Sequence, residues 1–308
     1  MKISEAMDLA VERAREHVGA TSPNPPVGAV ALDSSGALLA TGAHVKAGLG
    51  HAEARLLAEL REKGILARAH SVVVTLEPCN HQGRTPPCSE ALLAAGIRRV
   101  VYACKDPNPR VAGDGAGHLR RAGLEVEELA HEGASRLIQP FTRWVTSGRP
   151  WVVVKTALDA EGSMIPPPGM KTFTSEASLE LAHRLRRESD AIITGSGTIL
   201  ADQPEFTVRR VPDHPGKRRW LMLLDRRGRV PESYLALARS RGFEPRRAVS
   251  PEEALDFLGS QGCLQALVEA GPLVTEAFVA GCLWDRRVVI KRGSTGQEDS
   301  VEELERLP

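Results

Sequence analysis

The chain predicts two α/β units in series, and three features carry that expectation. Short apolar runs such as Ser71–Leu76 and Trp151–Val154 recur along its length, separated by stretches with apolar residues at helical spacing. The alternation breaks once with linker chemistry, at Thr146-Ser147-Gly148-Arg149-Pro150, and then restarts. The 308 residues accommodate two such units, at roughly 150 residues per domain. Strands punctuated by helices of this length imply a largely parallel sheet covered on both faces.

The first unit, residues 1–148, opens with a helix over 4–18. Met7, Ala10, Val11, Ala14 and Val18 share one face, Ser4 is a candidate N-cap, and Gly19 is the stop. Val27–Leu32 and Ala37–Gly42 read as strands joined by the hairpin signal Asp33-Ser34-Ser35-Gly36. Residues 51–63 return to helix, with Ala52, Leu56, Leu57 and Leu60 inward and Gly64 as C-cap. A buried strand at 71–76 leads into an irregular loop with Pro and Cys up to residue 88. A helix at 89–95, a strand at 97–104, and a helix–strand pair at 119–122 and 124–128 follow.

The second unit, residues 149–308, begins with a strand at 151–155, a helix at 175–187 and strands at 190–194 and 220–224. Helices at 232–241 and 251–259 come next with no strand expected between them. A strand at 264–269, a helix at 273–280 and a strand at 287–291 complete it. Pro166-Pro167-Pro168-Gly169 marks a loop, since proline fits neither a helix interior nor a central strand. The acidic tail after Gly293 predicts a short helix or a frayed end.

Composition narrows the functional classes. Forty Lys and Arg against thirty-nine Asp and Glu leave a net charge of +1, with no one-signed field to grip a nucleic-acid backbone. Aromatics at 4% supply no platform for stacking bases. The longest apolar runs are strand-length, far below the roughly 20 residues of a membrane span. The first residues carry no apolar leader core. These features predict a soluble cytoplasmic protein that binds neither nucleic acid nor membrane, and they leave a homo-oligomer open. Five cysteines, an odd number, point to metal binding or catalysis rather than a disulfide framework.

Chemistry concentrates in the first unit. His51-Ala52-Glu53 opens a helix, and Pro78-Cys79 with Cys88 follows a buried strand. One imidazole and two thiolates form a three-ligand zinc set with one position open, as a catalytic rather than a structural zinc requires. Glu53 then sits beside that position as a proton carrier, because zinc lowers the pKa of bound water to about 7. Cys79, near a helix start, is expected to gain thiolate stabilisation from the helix N-terminus. His-x-Glu with Pro-Cys and a second Cys is the signature of zinc nucleobase deaminases. Cys104, Cys263 and Cys282 read as small buried hydrophobes, and His17, His70, His118, His131, His183 and His214 as surface or core histidines.

The signature commonly has two residues between its cysteines, whereas here the segment runs Thr75-Leu-Glu-Pro-Cys-Asn-His-Gln-Gly-Arg-Thr-Pro-Pro-Cys88. With Ser22-Pro-Asn-Pro25, Gly42-Ala-His44 and Lys105-Asp-Pro-Asn-Pro-Arg-Val-Ala-Gly113, it strongly resembles the deaminase half of the bifunctional deaminase–reductases of riboflavin biosynthesis. The resemblance implies a cytidine-deaminase-like α/β/α fold. It also implies a phosphorylated substrate, a diamino-hydroxypyrimidine with a 5-phosphoribosylamino group. Asn24, His44, His81, Arg84, Asp106 and Asn108 would line its pocket, with donors and acceptors for the pyrimidine and ribose and an Arg fork for phosphate.

Ser189-Asp-Ala-Ile-Ile-Thr-Gly-Ser-Gly-Thr-Ile-Leu-Ala-Asp-Gln-Pro-Glu-Phe-Thr-Val-Arg209 and Val268-Glu-Ala-Gly-Pro272 look like the reductase half of the same family. That half is similar to dihydrofolate reductase and uses NADPH to convert a ribosyl chain to ribityl. By position Lys155, Arg186, Phe206, Arg209 and Glu269 would contact substrate. Ala157, Thr172, Thr198, Asp202 and Gly271 would face NADPH. The chain ends soon after Val288–Lys291, which predicts a shortened second unit with an exposed sheet edge. Two other readings fit the same residues: a deaminase whose second half is a degenerate scaffold, and a non-catalytic zinc-binding interaction module.

Overall fold

The computed structural model describes residues 1–81, 86–108, 114–165, 172–293 and 298–306. The chain divides into two compact units, Met1–Thr146 and Ser147–Pro308. The first contains α1 (Ile3–Arg15), β1 (Gly28–Leu32), β2 (Leu38–Ala43), α2 (Ala52–Glu62), β3 (Ser71–Leu76), α3 (Cys88–Ala94), β4 (Arg99–Cys104), α4 (Gly115–Arg121), β5 (Glu125–Glu128) and α5 (Glu132–Ser147). Its sheet order is β2-β1-β3-β4-β5. The hairpin is antiparallel, β1 runs antiparallel to β3, and β3, β4 and β5 are parallel.

Alternation along β1 sets the layers, because successive strand residues face opposite sides of a sheet. Ala29 and Ala31 join Leu56, Leu57, Leu60, Leu92 and Leu119 from α2, α3 and α4 in one core. Val30 and Leu32 join Met7, Ala10, Leu137 and Ile138 from α1 and α5 in the other. Sequence reading did not anticipate α5, whose inward residues Ala134, Leu137, Ile138 and Phe141 keep helical spacing despite the internal Pro140. An apolar face can outweigh the hydrogen bond that a helical proline forfeits.

The second unit contains β6 (Trp151–Leu158), α6 (Glu176–Glu188), β7 (Ala191–Gly195), α7 (Ser196–Asp202), β8 (Arg219–Leu224), α8 (Glu232–Ser240), β9 (Phe243–Ala248), α9 (Pro251–Ser260), β10 (Gln265–Val268), α10 (Pro272–Ala280), β11 (Arg286–Lys291) and β12 (Ser300–Glu305). The sheet order is β12-β11-β6-β10-β7-β8-β9, parallel except for the antiparallel β11–β12 pair. Leu185, Ile199, Tyr234 and Leu235 of α6, α7 and α8 cover one face, and Ala254, Leu255, Leu258 and Phe278 of α9 and α10 the other.

Three expectations for this unit are corrected. A strand, β9, does lie between the helices at 232–240 and 251–260. Its sequence Phe-Glu-Pro-Arg-Arg-Ala lacks a strand signature, but it is an edge strand, where a proline that cannot donate to the ladder is tolerated. The tail forms neither helix nor frayed end. It is β12, which covers the edge of β11 and carries the Arg286–Glu303 and Lys291–Glu302 ion pairs. All six of its residues are exposed and three of them are Glu, and charge of this kind on an edge strand discourages pairing with other chains. Asp299, just before β12, accepts hydrogen bonds from Ser175 N–H and Ser178 Oγ–H, both at 2.7 Å, and so ties the tail to the start of α6. Finally, Cys282 is exposed, whereas Cys104 and Cys263 are buried as expected.

Candidate active sites

The first site forms where α2 begins and β3 ends. His51 is the N-cap of α2, and its Nδ1 lies 3.6 Å from Cys79 Sγ and 3.4 Å from Cys88 Sγ. The three donor atoms all lie within 4.8 Å of one another. Tetrahedral zinc, at about 2.3 Å to sulfur and about 2.1 Å to nitrogen, sets such donors about 3.6 Å apart. The two imidazole–sulfur separations match that spacing, so the donor set fits zinc.

The protons tell the same story. Cys79 is pulled towards thiolate first by the Cys88 thiol that hydrogen-bonds it, and further by His51. Cys88 is pushed up by that same bond and by burial. His51 is raised, chiefly by its bond to Cys79. One proton is thus shared where a metal cation would displace it, since thiolate ligands bind metal only when deprotonated. Glu53, 3% exposed, is driven up to about 7 by burial and then by the Cys79 charge.

Local packing holds these ligands. A Cβ on Gly42 would lie 2.5 Å from the Ala52 carbonyl oxygen, so only glycine lets β2 run this close to the start of α2. A Cβ on Gly115 would lie 2.0 Å from the Pro78 carbonyl oxygen, beside Cys79. Glu77 accepts the Ala116 N–H at 2.9 Å, and Ser89 Oγ donates to Asn80 at 2.8 Å. Glu77, Ser89 and Gly115 escaped sequence reading, and no local pattern marks them, because each contact joins the loop after β3 to α3 or α4. The helix that follows the ligand loop starts at Cys88 rather than near Cys79. Cys79 still receives a helix N-terminal N–H, that of Cys88, at 3.4 Å.

His44, 2% exposed, stands edge-on to His51 with ring centroids 5.6 Å apart. Its Nδ1 meets the Gly50 carbonyl oxygen at 3.2 Å, which makes Nδ1 the donor and leaves Nε2 to accept from Asn24 Nδ2 at 3.3 Å. Asp106 is raised by burial and lies within electrostatic reach of Glu77, His81 and Cys79. Its Oδ1 accepts the Asn108 N–H at 2.9 Å, and His81 is exposed. Arg84 lies outside the described residues.

The second site gathers at the carboxyl ends of β6, β7 and β10, where open α/β sheets bind ligands. Glu269 accepts from Arg186 Nε at 2.8 Å, Arg186 Nη2 at 2.7 Å and Lys155 Nζ at 3.2 Å. Phe206 is 3% exposed with φ +54°, and the Arg186 guanidinium lies 5.9 Å from its ring centre. Arg209 is exposed and donates to Glu205 at 3.1 Å and Thr207 Oγ1 at 3.0 Å. Thr198 Oγ1 accepts the Gly271 N–H at 2.9 Å, which joins α7 to the start of α10. Ala157 ends the inward face of β6, while Thr172 and Asp202 are exposed.

The fold and the first site together define a zinc deaminase unit followed by a second, nucleotide-cofactor type α/β unit. Residues 1–104 match the family model "Cytidine and deoxycytidylate deaminase zinc-binding region", and residues 150–292 match "RibD C-terminal domain". The chain belongs to the riboflavin biosynthesis protein RibD family. It is 37% identical over 280 residues to Riboflavin biosynthesis protein RibD of Mycobacterium tuberculosis, covering 90% of this chain and 81% of that one. To the same protein of Aquifex aeolicus it is 43% identical over 208 residues, 67% of this chain but only 57% of the relative. A solved diaminohydroxyphosphoribosylaminopyrimidine deaminase/5-amino-6-(5-phosphoribosylamino)uracil reductase from Thermotoga maritima superposes with a TM-score of 0.83 at 31% identity. That match covers 96% of this chain and 88% of the other. An Acinetobacter baumannii RibD superposes at 0.79 with the same identity and coverage. Among the described residues no helix is long and apolar enough to cross a membrane.

Proposed function

We propose that this chain is a bifunctional enzyme of riboflavin biosynthesis, with residues 1–148 as a deaminase domain and 149–308 as an NADPH-dependent reductase domain. The first domain removes an amino group hydrolytically from 2,5-diamino-6-(5-phosphoribosylamino)pyrimidin-4-one. The second reduces the ribosyl chain of the product to ribityl. The reading is that of a cytoplasmic enzyme acting on a phosphorylated pyrimidine. The observation that carries it is the His51, Cys79 and Cys88 triangle with a buried Glu53 beside it.

His51, Cys79 and Cys88 would hold zinc, which when bound makes water nucleophilic at neutral pH. Glu53 takes up a proton from the attacking water and delivers protons to the ring nitrogen and the departing ammonia. Its burial keeps bulk water from competing for that role. Asn24, held by His44, has its amide nitrogen engaged, so its carbonyl oxygen is the acceptor it turns to substrate. His81, Arg84, Asp106 and Asn108 complete the pocket in this reading.

In the second domain Lys155, Arg186 and Arg209 supply the cationic side for a sugar phosphate. Thr198 and Gly271 at the start of α10, with Ala157, Thr172 and Asp202, would seat NADPH, which supplies hydride when bound. Phe206 packs beneath Arg186 and Glu269 orients it.

Two measurements test the reading. Glu53→Gln is expected to keep stoichiometric zinc and a native fold while ammonia release falls by about 10²–10⁴. Undiminished deamination would refute the role of Glu53. Mixing the deaminated intermediate with NADPH should give substrate-dependent loss of nicotinamide absorbance. An active deaminase with no such loss would leave a deaminase alone and remove the bifunctional reading.

A further inference from the structure

His183 lies on the inward face of α6, 3% exposed, one turn before Arg186. Its Nδ1 accepts the backbone N–H of Arg209 at 2.9 Å and lies 3.4 Å from that of Arg210. A main-chain N–H only donates, so Nδ1 carries no proton and the ring proton sits on Nε2. Nε2 faces Arg186 Nη1 at 3.4 Å, and that nitrogen donates instead to the Thr207 carbonyl oxygen at 3.2 Å. Through His183 and Arg186, α6 thus grips the backbone from 207 to 210 at three points. This segment leaves Phe206 in a left-handed conformation, with φ +54°. For a bulky residue that conformation is costly and persists only where neighbours enforce it.

We propose that His183 is a positioning residue for the reductase substrate, acting through the 207–210 backbone to aim Arg209 beside Arg186. The inference rests on the reading of Arg186 and Arg209 as substrate contacts. Every charged group around the ring bears on its state. Arg186 shares its helix, Arg209 and Arg210 come from the gripped segment, and Glu269 reaches in from the end of β10. Glu205 pairs with Arg209, and Glu176 with Arg210. Burial, then Arg186 and Arg209, depress the imidazole to about 4. A neutral ring is what an accepting Nδ1 requires. Asn carries a neutral acceptor, Oδ1, at a place similar to that of the imidazole Nδ1.

The experiment uses the full chain with NADPH and the deaminated phosphoribosylaminouracil. His183→Leu, which keeps bulk and removes the acceptor, is expected to raise KM for that substrate at least tenfold while kcat changes less than threefold. His183→Asn is expected to bring KM back to within threefold of wild type. A purely structural histidine would predict losses in unfolding midpoint shared by both variants and no KM-specific rescue. That pattern, or equal KM in wild type and His183→Leu, overturns the proposal. If His183→Leu does not fold, the ring of the wild type decides: ¹⁵N spectra, assigned by the resonance missing in His183→Asn, should show an unprotonated Nδ1 at pH 6. A protonated Nδ1 there overturns it. Wild type with no substrate-dependent NADPH oxidation overturns the reductase reading itself, and is distinguishable because the wild-type His183 ring spectrum does not depend on turnover.

Discussion

Replacing Glu269 by Gln tests the energetic logic of the second site. Glu269 is one carboxylate serving two cations, Arg186 and Lys155, and the three side chains are only 12%, 13% and 16% exposed. Burial opposes its ionisation, yet Arg186 and then Lys155 outweigh that and hold the carboxyl well below the usual range. Glutamine keeps the shape but not the charge, and turns an NH₂ towards one of the cations. Removing one partner of a buried pair costs about 3–5 kcal/mol, because the charge left behind stays desolvated. Since Gln retains one acceptor, the lower end applies, about 3 kcal/mol. In a domain of this size that corresponds to a fall in Tm of about 6–12 °C. Three of the four tryptophans, Trp151, Trp220 and Trp284, lie in the second unit, so tryptophan fluorescence follows its unfolding. The pH dependence has a fixed sign. The folded carboxyl ionises below its ordinary value of 4.5, so its contribution is complete above that pH and is lost as pH falls beneath it. The gap between wild type and Glu269→Gln should therefore be widest at neutral pH and narrow steadily below pH 4.5. A Tm within 2 °C of wild type at pH 7, or a gap that does not shrink in acid, refutes the argument.

Further expectations concern the zinc site. Cys88→Ala should lower zinc affinity by more than the about 10–100-fold typical of losing an outer hydrogen-bond partner, measured by metal content after dialysis against a weak chelator. Zinc retained at one per chain would sink the ligand assignment. Gly115→Ala should destabilise the first unit by about 2–3 kcal/mol through overpacking against the Pro78 carbonyl. The same substitution should weaken zinc binding by displacing Cys79, and a variant with wild-type melting and metal content contradicts the clamp.

Much of the molecule was legible in the sequence wherever the signal is local. β-Branched runs such as Val72-Val73-Val74 and Val152-Val153-Val154 mark the central strands because these are buried on both faces. The candidate metal ligands were legible because His-x-Glu and Pro-Cys announce their chemistry by residue type at short spacing, although packing of α2 against the end of β3 brings them together. The edge strands β9 and β12 were not. Phe243–Ala248 and Ser300–Glu305 are strands because a neighbour offers unpaired N–H and C=O groups, and propensity alone would not make them so. Likewise α5 is a helix because its apolar face meets α1 across the sheet's second core, although Pro140 argues against it locally.

His183 shows the same division at the scale of one side chain. As a letter between Ala182 and Arg184 it is indistinguishable from the other histidines, and only its spacing of three from Arg186 hints at a shared face. Residue type and spacing determine, before any folding, that this protein has donors of the kind that hold zinc, a carboxylate close to one of them in sequence and two layered α/β units. What the tertiary structure alone decided is which charges neutralise one another and which remain available. Glu269 meets Lys155 from 114 residues away and Arg186 from 83. Such partnerships depend on how strands 6, 7 and 10 line up, and Coulomb energies that fall with distance and rise with burial have no local signature in the chain.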